Sequence, residues 1–226
     1  MTPARDSLPA GDEEGTPLGT TEFVVVDVET TGTGARRGDR VTEVAAVRVL
    51  GRTIEPIFDS LVNPGQPIPY VITALTGIDN AMVRNAPSFR EIAGELAAHL
   101  AGRVFVAHNA AFDWGFLNTE FARVASGGIE SLVPVQLCTV RLARLYLKQL
   151  PRRNLDAVCA YYGISNDSRH RAAGDAFATA QVLVRLIGEA ERAGVWSLET
   201  LLKYGRQRRR RKRTSMPTWS DGGEGA

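Results

Sequence analysis

The chain has 226 residues, 44% of them apolar, a net charge of +2 and two cysteines, Cys138 and Cys159. That length and composition suit one substantial globular domain with tails. No apolar run approaches the ~18 residues of a membrane span, the N-terminal residues lack the apolar stretch of a secretory signal, and two distant cysteines make neither a metal spacing nor a disulfide framework; a cytoplasmic protein without membrane association is expected.

The charge is uneven. Seven of the eight residues from Arg206 to Arg213 are basic, which leaves 20 basic against 23 acidic residues over 1–205. Such a block either seeks phosphate backbones or is a solvated tail. Only 3 of the 27 basic residues are lysines, so arginine richness is partly a habit of the whole chain. Residues 1–20, rich in Pro, Gly, Thr and acids and without periodicity, read as a disordered tail, and 205–226 as a second, basic one. The folded domain is expected over 21–204, with no internal repeat.

FVVVDVE, from Phe23, reads as a first strand, followed by β-rich runs at 41–50 and 53–62 separated only by Gly51-Arg52. So short a connection favours antiparallel pairing, and Pro56 inside the third run points to a sheet edge. The period then changes. Over 88–100, Phe89, Ile92, Ala93, Leu96 and Leu100 form one helical stripe, with Ser88 and Glu91 as a capping box. A buried strand at 103–107, a helix over 111–125, a short strand near Val133–Leu137 and helices at 139–147 and 154–163 follow, Gly163 closing the last of these. A long helix spans 171–194, with Phe177, Ala180, Val184 and Ile187 on its inner face. Three strands in a meander, then strands alternating with helices, imply an α/β fold with a mixed sheet covered by helices.

Two carboxylates break the valine pattern of the first strand. Side chains alternate along a strand, so Asp27 and Glu29 face the same side with Cα atoms about 6.5 Å apart. Either the strand ends there and both groups point into water, or a divalent cation bridges them. Two later segments bear on that choice. AHNAAFDWGFL, residues 107–117, leaves a strand and opens a helix with Asp113 in its first turn, where an acid is favoured by the dipole in any case. SRHRAAGDAFATA, residues 168–180, sets His170 before a helix and Asp175 inside it, and Ala172, Ala173 and Gly174 leave room for other backbone or a ligand to come close.

In this order, Asp27-x-Glu29, then Asp113 within HNAAFD, then His170 and Asp175, together with LTGI (75–78) and the NLDAVCAYYGI run, resemble the DEDDh family of 3′–5′ exonucleases over about Phe23–Ala190. The similarity is closest to the proofreading (epsilon) subunits of bacterial DNA polymerase III. The resemblance implies a ribonuclease H-like fold: a five-stranded mixed sheet, a three-strand antiparallel meander plus two parallel strands, with helices on both faces. It implies two divalent ions, Mg²⁺ or Mn²⁺, held by Asp27, Glu29, Asp113 and Asp175, with His170 as the general base. Phosphodiester hydrolysis needs a nucleophile at neutral pH and relief of charge on the phosphate and the leaving 3′ oxygen, which two ions about 3.5–4 Å apart supply. Carboxylates without a Cys or His cluster suit such hard ions, and an ordinary imidazole, with a pKa of about 6.5, accepts a proton at working pH.

Around the ions, the resemblance implies that Thr30, Thr31 and Gly32 grip the terminal nucleotide, that Leu75 stacks on the last base with Thr76 beside it, and that Phe112 packs on the next sugar or base. His108 and Asn109 would support the acids or face the substrate. Three departures stand out: Cys138-Thr139 where the family often carries an acid before the Thr, Thr76 where close relatives often carry His, and no Gln-x-Leu-x-Leu-Phe-like stretch that would assign sliding-clamp binding. The expected activity is release of nucleoside monophosphates from single-stranded or frayed 3′ ends, DNA favoured over RNA, with a DNA polymerase as a candidate partner. The alternatives are an RNA-trimming exonuclease of the same architecture and a catalytically silent nucleic-acid-binding module.

Overall fold

The computed structural model describes residues 15–124 and 128–207. Its centre is strand β1, Glu22–Thr30. β2, Val41–Leu50, runs antiparallel to it, and β3, Thr53–Leu61, antiparallel to β2. On the other side of β1 lie β4, Val104–Ala107, and β5, Val135–Cys138, both parallel, giving the order β3-β2-β1-β4-β5. This is the five-stranded mixed sheet expected, with Pro56 on the edge strand at a register shift where Val47 opposes Pro56 and Ala46 opposes Phe58. A proline cannot donate to the ladder, so edge and bulge are where it fits.

The valine run of β1 is continuous because both of its faces are covered. Val24, Val26 and Val28 pack under helices α3 (Phe89–Leu100) and α4 (Ala111–Val124). Phe23 and Val25 pack on the opposite face under α5 (Thr139–Tyr146), α6 (Leu155–Tyr162), α7 (Ala172–Arg192) and α8 (Leu198–Gln207). The capping box forms at α3, where the Ser88 N–H donates to Glu91 at 2.7 Å, and Gly163 closes α6 in the left-handed conformation. Within α7 the inner face differs from the sequence reading: Phe177 is 39% exposed, and Ala172, Ala176, Ala180, Leu183 and Ile187 face the sheet. Small residues let this helix lie close on β1 and β2.

Two short helices, α1 (Tyr70–Thr76) and α2 (Asn80–Val83), follow β3 and escaped the sequence reading. The boundaries of the domain also move. Leu18 is buried at 1%, its N–H donates to the Trp196 carbonyl at 2.8 Å, and Pro17 bridges Ser197. Folded chain therefore begins before residue 21, and α8 continues to Gln207, past 204. Residues 1–14 of the tail expected over 1–20, and most of the basic block at 206–213, lie outside the described residues. Among the described residues no helix is long and apolar enough to cross a membrane.

Candidate active site

β1 outruns its parallel neighbour. Only Phe23, Val24 and Val25 pair with β4, while β1 continues beside β2 as far as Thr30. Past Val25 the β4 side of β1 is therefore open, and Asp27 and Glu29 stand on this stretch. Both share the parity of Phe23 and Val25, so both point to the face that carries α7.

The chain leaves β4 through His108 and Asn109, the latter in the left-handed region at φ 73°, and turns into α4. Asp113, in the first turn of α4, is buried at 3%. Its Oδ1 accepts the Val28 N–H at 3.2 Å. The backbone donor between Asp27 and Glu29, left without a strand partner, is thus satisfied by the third acid. Such an N–H needs a partner when buried, and this one draws α4 around the open edge toward the other two carboxylates.

α7 supplies the fourth acid. Asp27, Glu29 and Asp175 each offer a carboxylate oxygen, all within 4.8 Å of one another. The Asp175 carboxylate is oriented by the Asn166 side-chain amide at Oδ1 and by the His170 backbone N–H at Oδ2, 3.2 Å away. His170 has φ 60°, unusual for a residue with a side chain. Gly174 explains how the loop lies so close: a Cβ there would sit 2.5 Å from the Ser168 carbonyl oxygen. The space beside Gly174 is filled by Ser168, so the loop carrying His170 lies against the start of α7.

Electrostatically the site is a concentration of negative charge. Burial pushes the Asp27 carboxyl well above the ordinary range, and Asp113, Asp175, Glu29 and Glu43 add to the shift. Glu29 rises to about 7, through burial first and then Asp175, Glu43 and Asp113, with Arg171 opposing. Asp113 also rises to about 7 through burial, held back by backbone hydrogen bonds. Among the described residues no Lys or Arg forms an ion pair with Asp27, Glu29, Asp113 or Asp175. Carboxylates crowded in this way, offering oxygen alone, fit a hard divalent cation, and a bound cation would remove the cost of ionising them.

A family model described as an exonuclease (RNase_T) matches residues 24–183, which contain all four acids and His170. The chain belongs to this exonuclease family. A DNA polymerase III subunit epsilon-like protein of Rhodobacter capsulatus is 38% identical over 199 residues, 84% of this chain and 28% of that protein. A PolC-type DNA polymerase III of Halalkalibacterium halodurans is 38% identical over 186 residues, 82% of this chain and 13% of the relative. The chain thus spans about a quarter or less of the length of these two curated relatives. Among solved structures, exonuclease X in complex with 5′-overhanging duplex DNA shares the fold at TM-score 0.60 and 23% identity, covering 81% of this chain and 99% of that one.

The remaining candidate residues of this exonuclease-family chain divide into those turned outward and those used internally. Leu75 on α1 is 54% exposed, one helical turn beyond the exposed Val71. Phe112 is half-buried, its ring tilted against Phe116 with centroids 4.9 Å apart. Gly32 is half-buried and Asn109 exposed. Thr76, in contrast, is buried at 5%; its hydroxyl donates to the Ile72 carbonyl and accepts the Ile78 N–H. The Thr30 hydroxyl donates to the Gly32 carbonyl at 2.6 Å. The Thr31 hydroxyl accepts from the Arg40 N–H and the Gln66 amide, and its own N–H donates to the Arg40 carbonyl. These threonines build the turn after β1.

His108 departs from the expected role. Its Nε2 donates to the Arg153 carbonyl at 3.0 Å, so Nδ1 is the acceptor for the Thr139 hydroxyl at 2.8 Å. Burial depresses this imidazole to about 4, against the hydrogen bond to Arg153. It is a neutral clip between the exit of β4, the start of α5 and the loop before α6. The family's acid at position 138 is Cys138 here, half-buried, and Thr139 behind it is the hydroxyl that His108 holds.

Proposed function

We propose that this protein is a metal-dependent 3′–5′ exonuclease that shortens DNA from single-stranded or frayed 3′ ends and releases nucleoside monophosphates. The observation that carries the reading is the cluster of Asp27, Glu29 and Asp175 oxygens within 4.8 Å, without a cationic side chain paired to them among the described residues. Asp27, Glu29, Asp113 and Asp175 would hold two divalent ions, Mg²⁺ or Mn²⁺, which when bound activate water near neutral pH and offset charge on the phosphate and the departing 3′ oxygen.

The chain's own residues supply the rest. His170, whose position is tied to Asp175 through its backbone N–H, takes the proton of the attacking water. Leu75 offers an apolar face to the terminal base, and Phe112 to the adjoining sugar or base, a contact indifferent to sequence. The turn Thr30–Gly32 shapes the pocket from the β1 side, with Thr76 behind Leu75 and Asn109 at its rim. The names of the relatives support a DNA substrate and association with a DNA polymerase, and the cytoplasm is the place proposed for both.

A degradation assay tests this. Single- and double-stranded DNA and RNA, labelled at either end, are incubated with Mg²⁺ or Mn²⁺ and with EDTA. Expected is loss of a 3′ label as mononucleotide, progressive shortening of 5′-labelled DNA, and no cleavage in EDTA. RNA cleaved faster than DNA would reassign the substrate, and intact DNA and RNA under all conditions would remove the reading.

A further inference from the structure

We propose that the ion pair between Arg171 and Glu43 is a positioning device for the site, setting His170 and Asp175 relative to β1. This rests on the exonuclease reading above and adds to it two residues outside the acid quartet and the histidine.

Glu43 lies on β2 directly opposite Glu29 on β1 and is buried at 1%. Like charges facing each other across a ladder destabilise a sheet, so a second buried glutamate beside a candidate metal ligand calls for a reason. Its partners give one. Arg171 Nε donates to both oxygens at 3.0 and 3.1 Å, and Nη2 also reaches Oε1. The Ala172 backbone N–H, the first of α7, donates to Oε2 at 2.7 Å. Glu43 thus binds a side chain and a helix terminus at once, and a carboxylate at that terminus is favoured by the dipole.

What makes this a positioning device is where Arg171 sits. It follows His170 directly, and Asp175 lies one helical turn further on. His170 holds a backbone conformation that persists only if its surroundings fix it on both sides. Ahead of it Ser168 rests on Gly174, and after it the guanidinium fork is locked to β2. β2 in turn is in register with β1 at Glu29. One side chain therefore references the imidazole and the α7 carboxylate to the strand bearing the other two acids. Arg171 also faces Asp59 and Glu29, so a fixed positive charge stands behind the acid cluster without pairing with Asp27 or Glu29. The fork geometry matters: a lysine gives the charge but not the two-pronged grip.

Arg171→Gln, Arg171→Lys and Glu43→Gln test the idea through two readouts. The first is amide hydrogen exchange: in Arg171→Gln the amides of 170–175 should exchange about tenfold faster, or more, while those of β1 and β4 keep their protection. The second is kcat per folded molecule on 3′-labelled single-stranded DNA with Mn²⁺, expected to fall about 10- to 100-fold with KM and Mn²⁺ affinity little changed, and to return in part in Arg171→Lys. Unchanged exchange at 170–175, or faster exchange everywhere, overturns the inference, as does an unchanged kcat in a parent that cleaves. A parent that leaves DNA intact removes the exonuclease reading instead, and the exchange data then decide the positioning claim alone. If Arg171→Gln does not fold, Arg171→Lys carries both measurements.

Discussion

Two kinds of buried carboxylate occur in this molecule, and the difference between them separates scaffold from chemistry. Glu120 on α4 and Glu43 on β2 are each buried at 1%, and each is gripped by an arginine fork: Arg40 Nε and Nη2 on Glu120 at 2.6 and 2.9 Å, Arg171 on Glu43. Asp113 is buried at 3% and Asp27 and Glu29 are half-buried at the open edge of β1, yet none has such a partner among the described residues, and all are pushed upward in pKa. A buried charge is kept only when something offsets it. For the first kind the offset is a neighbouring side chain. For the second it must come from outside, which is what a cation site requires.

The sharpest way to break this division is to neutralise one member of each kind. Asp27→Asn should lower DNA cleavage by about 10³-fold, yet raise the stability of the metal-free protein by about 1–3 kcal/mol at pH 8, because it removes a carboxyl that burial and its acidic neighbours make costly to ionise. Labelled-oligonucleotide kinetics and thermal melting measure the two. Loss of both activity and metal-free stability would mean that Asp27 is structural like Glu120.

The histidines repeat the contrast. His108 has both ring nitrogens engaged, whereas among the described residues the His170 ring makes no hydrogen bond. His170→Gln should cost about 10²-fold in kcat with little change in melting temperature. His108→Gln should do the reverse, lowering stability by about 1 kcal/mol with kcat changed only a few-fold. Comparable kcat losses in both variants would contradict the assignment of one imidazole to chemistry and the other to structure.

Glu120→Gln is the complement to Asp27→Asn. It leaves the Arg40 guanidinium and the Val41 N–H with a weaker acceptor and should destabilise the protein by about 2 kcal/mol, seen in denaturant unfolding, while kcat per folded molecule stays within about threefold. Arg40 is 28% exposed in its side chain, and water access at that end keeps the cost below that of a fully enclosed pair.

This division was only half legible in the sequence. Asp27 and Glu29 stood out because charged residues interrupt a valine strand, and Asp113, His170 and Asp175 because spacing and order matched a family pattern. Glu43 gave no local signal, and Glu120 only Arg123 three residues on: the arginines that grip them are 128 and 80 residues away, and only the folded sheet brings them together. Asn166 and the internal bonds of His108 were hidden for the same reason. The meander, the edge proline and the capped helix α3 were readable because period and turn chemistry are local properties. α1 was not, since Val71, Ile72 and Thr73 are β-branched and poor helix formers, and the four residues of α2 are too few to show a period.

The smallest effect expected is also the one that tests the electrostatic origin of the contrast. Glu29 and Asp113 titrate near 7 in the folded chain, against 4.5 and 3.8 for the free groups. The folded state therefore holds their protons more tightly than the unfolded one. Below the unfolded pKa both states are protonated and no penalty exists; as pH climbs through about 7 the folded state must ionise crowded carboxylates, and stability is lost. Metal-free protein should melt about 5 °C lower at pH 8 than at pH 5 on this account. Saturating Mn²⁺ should abolish most of that slope, and Glu29→Gln, which removes one of the two titrating groups, should flatten it in the absence of metal. Glu120→Gln should leave the slope as it is, because Glu120 stands apart from the acid cluster, paired with Arg40. A slope that persists unchanged in both Mn²⁺ and Glu29→Gln would place the titrating groups elsewhere and dissolve the distinction between the two kinds of acid.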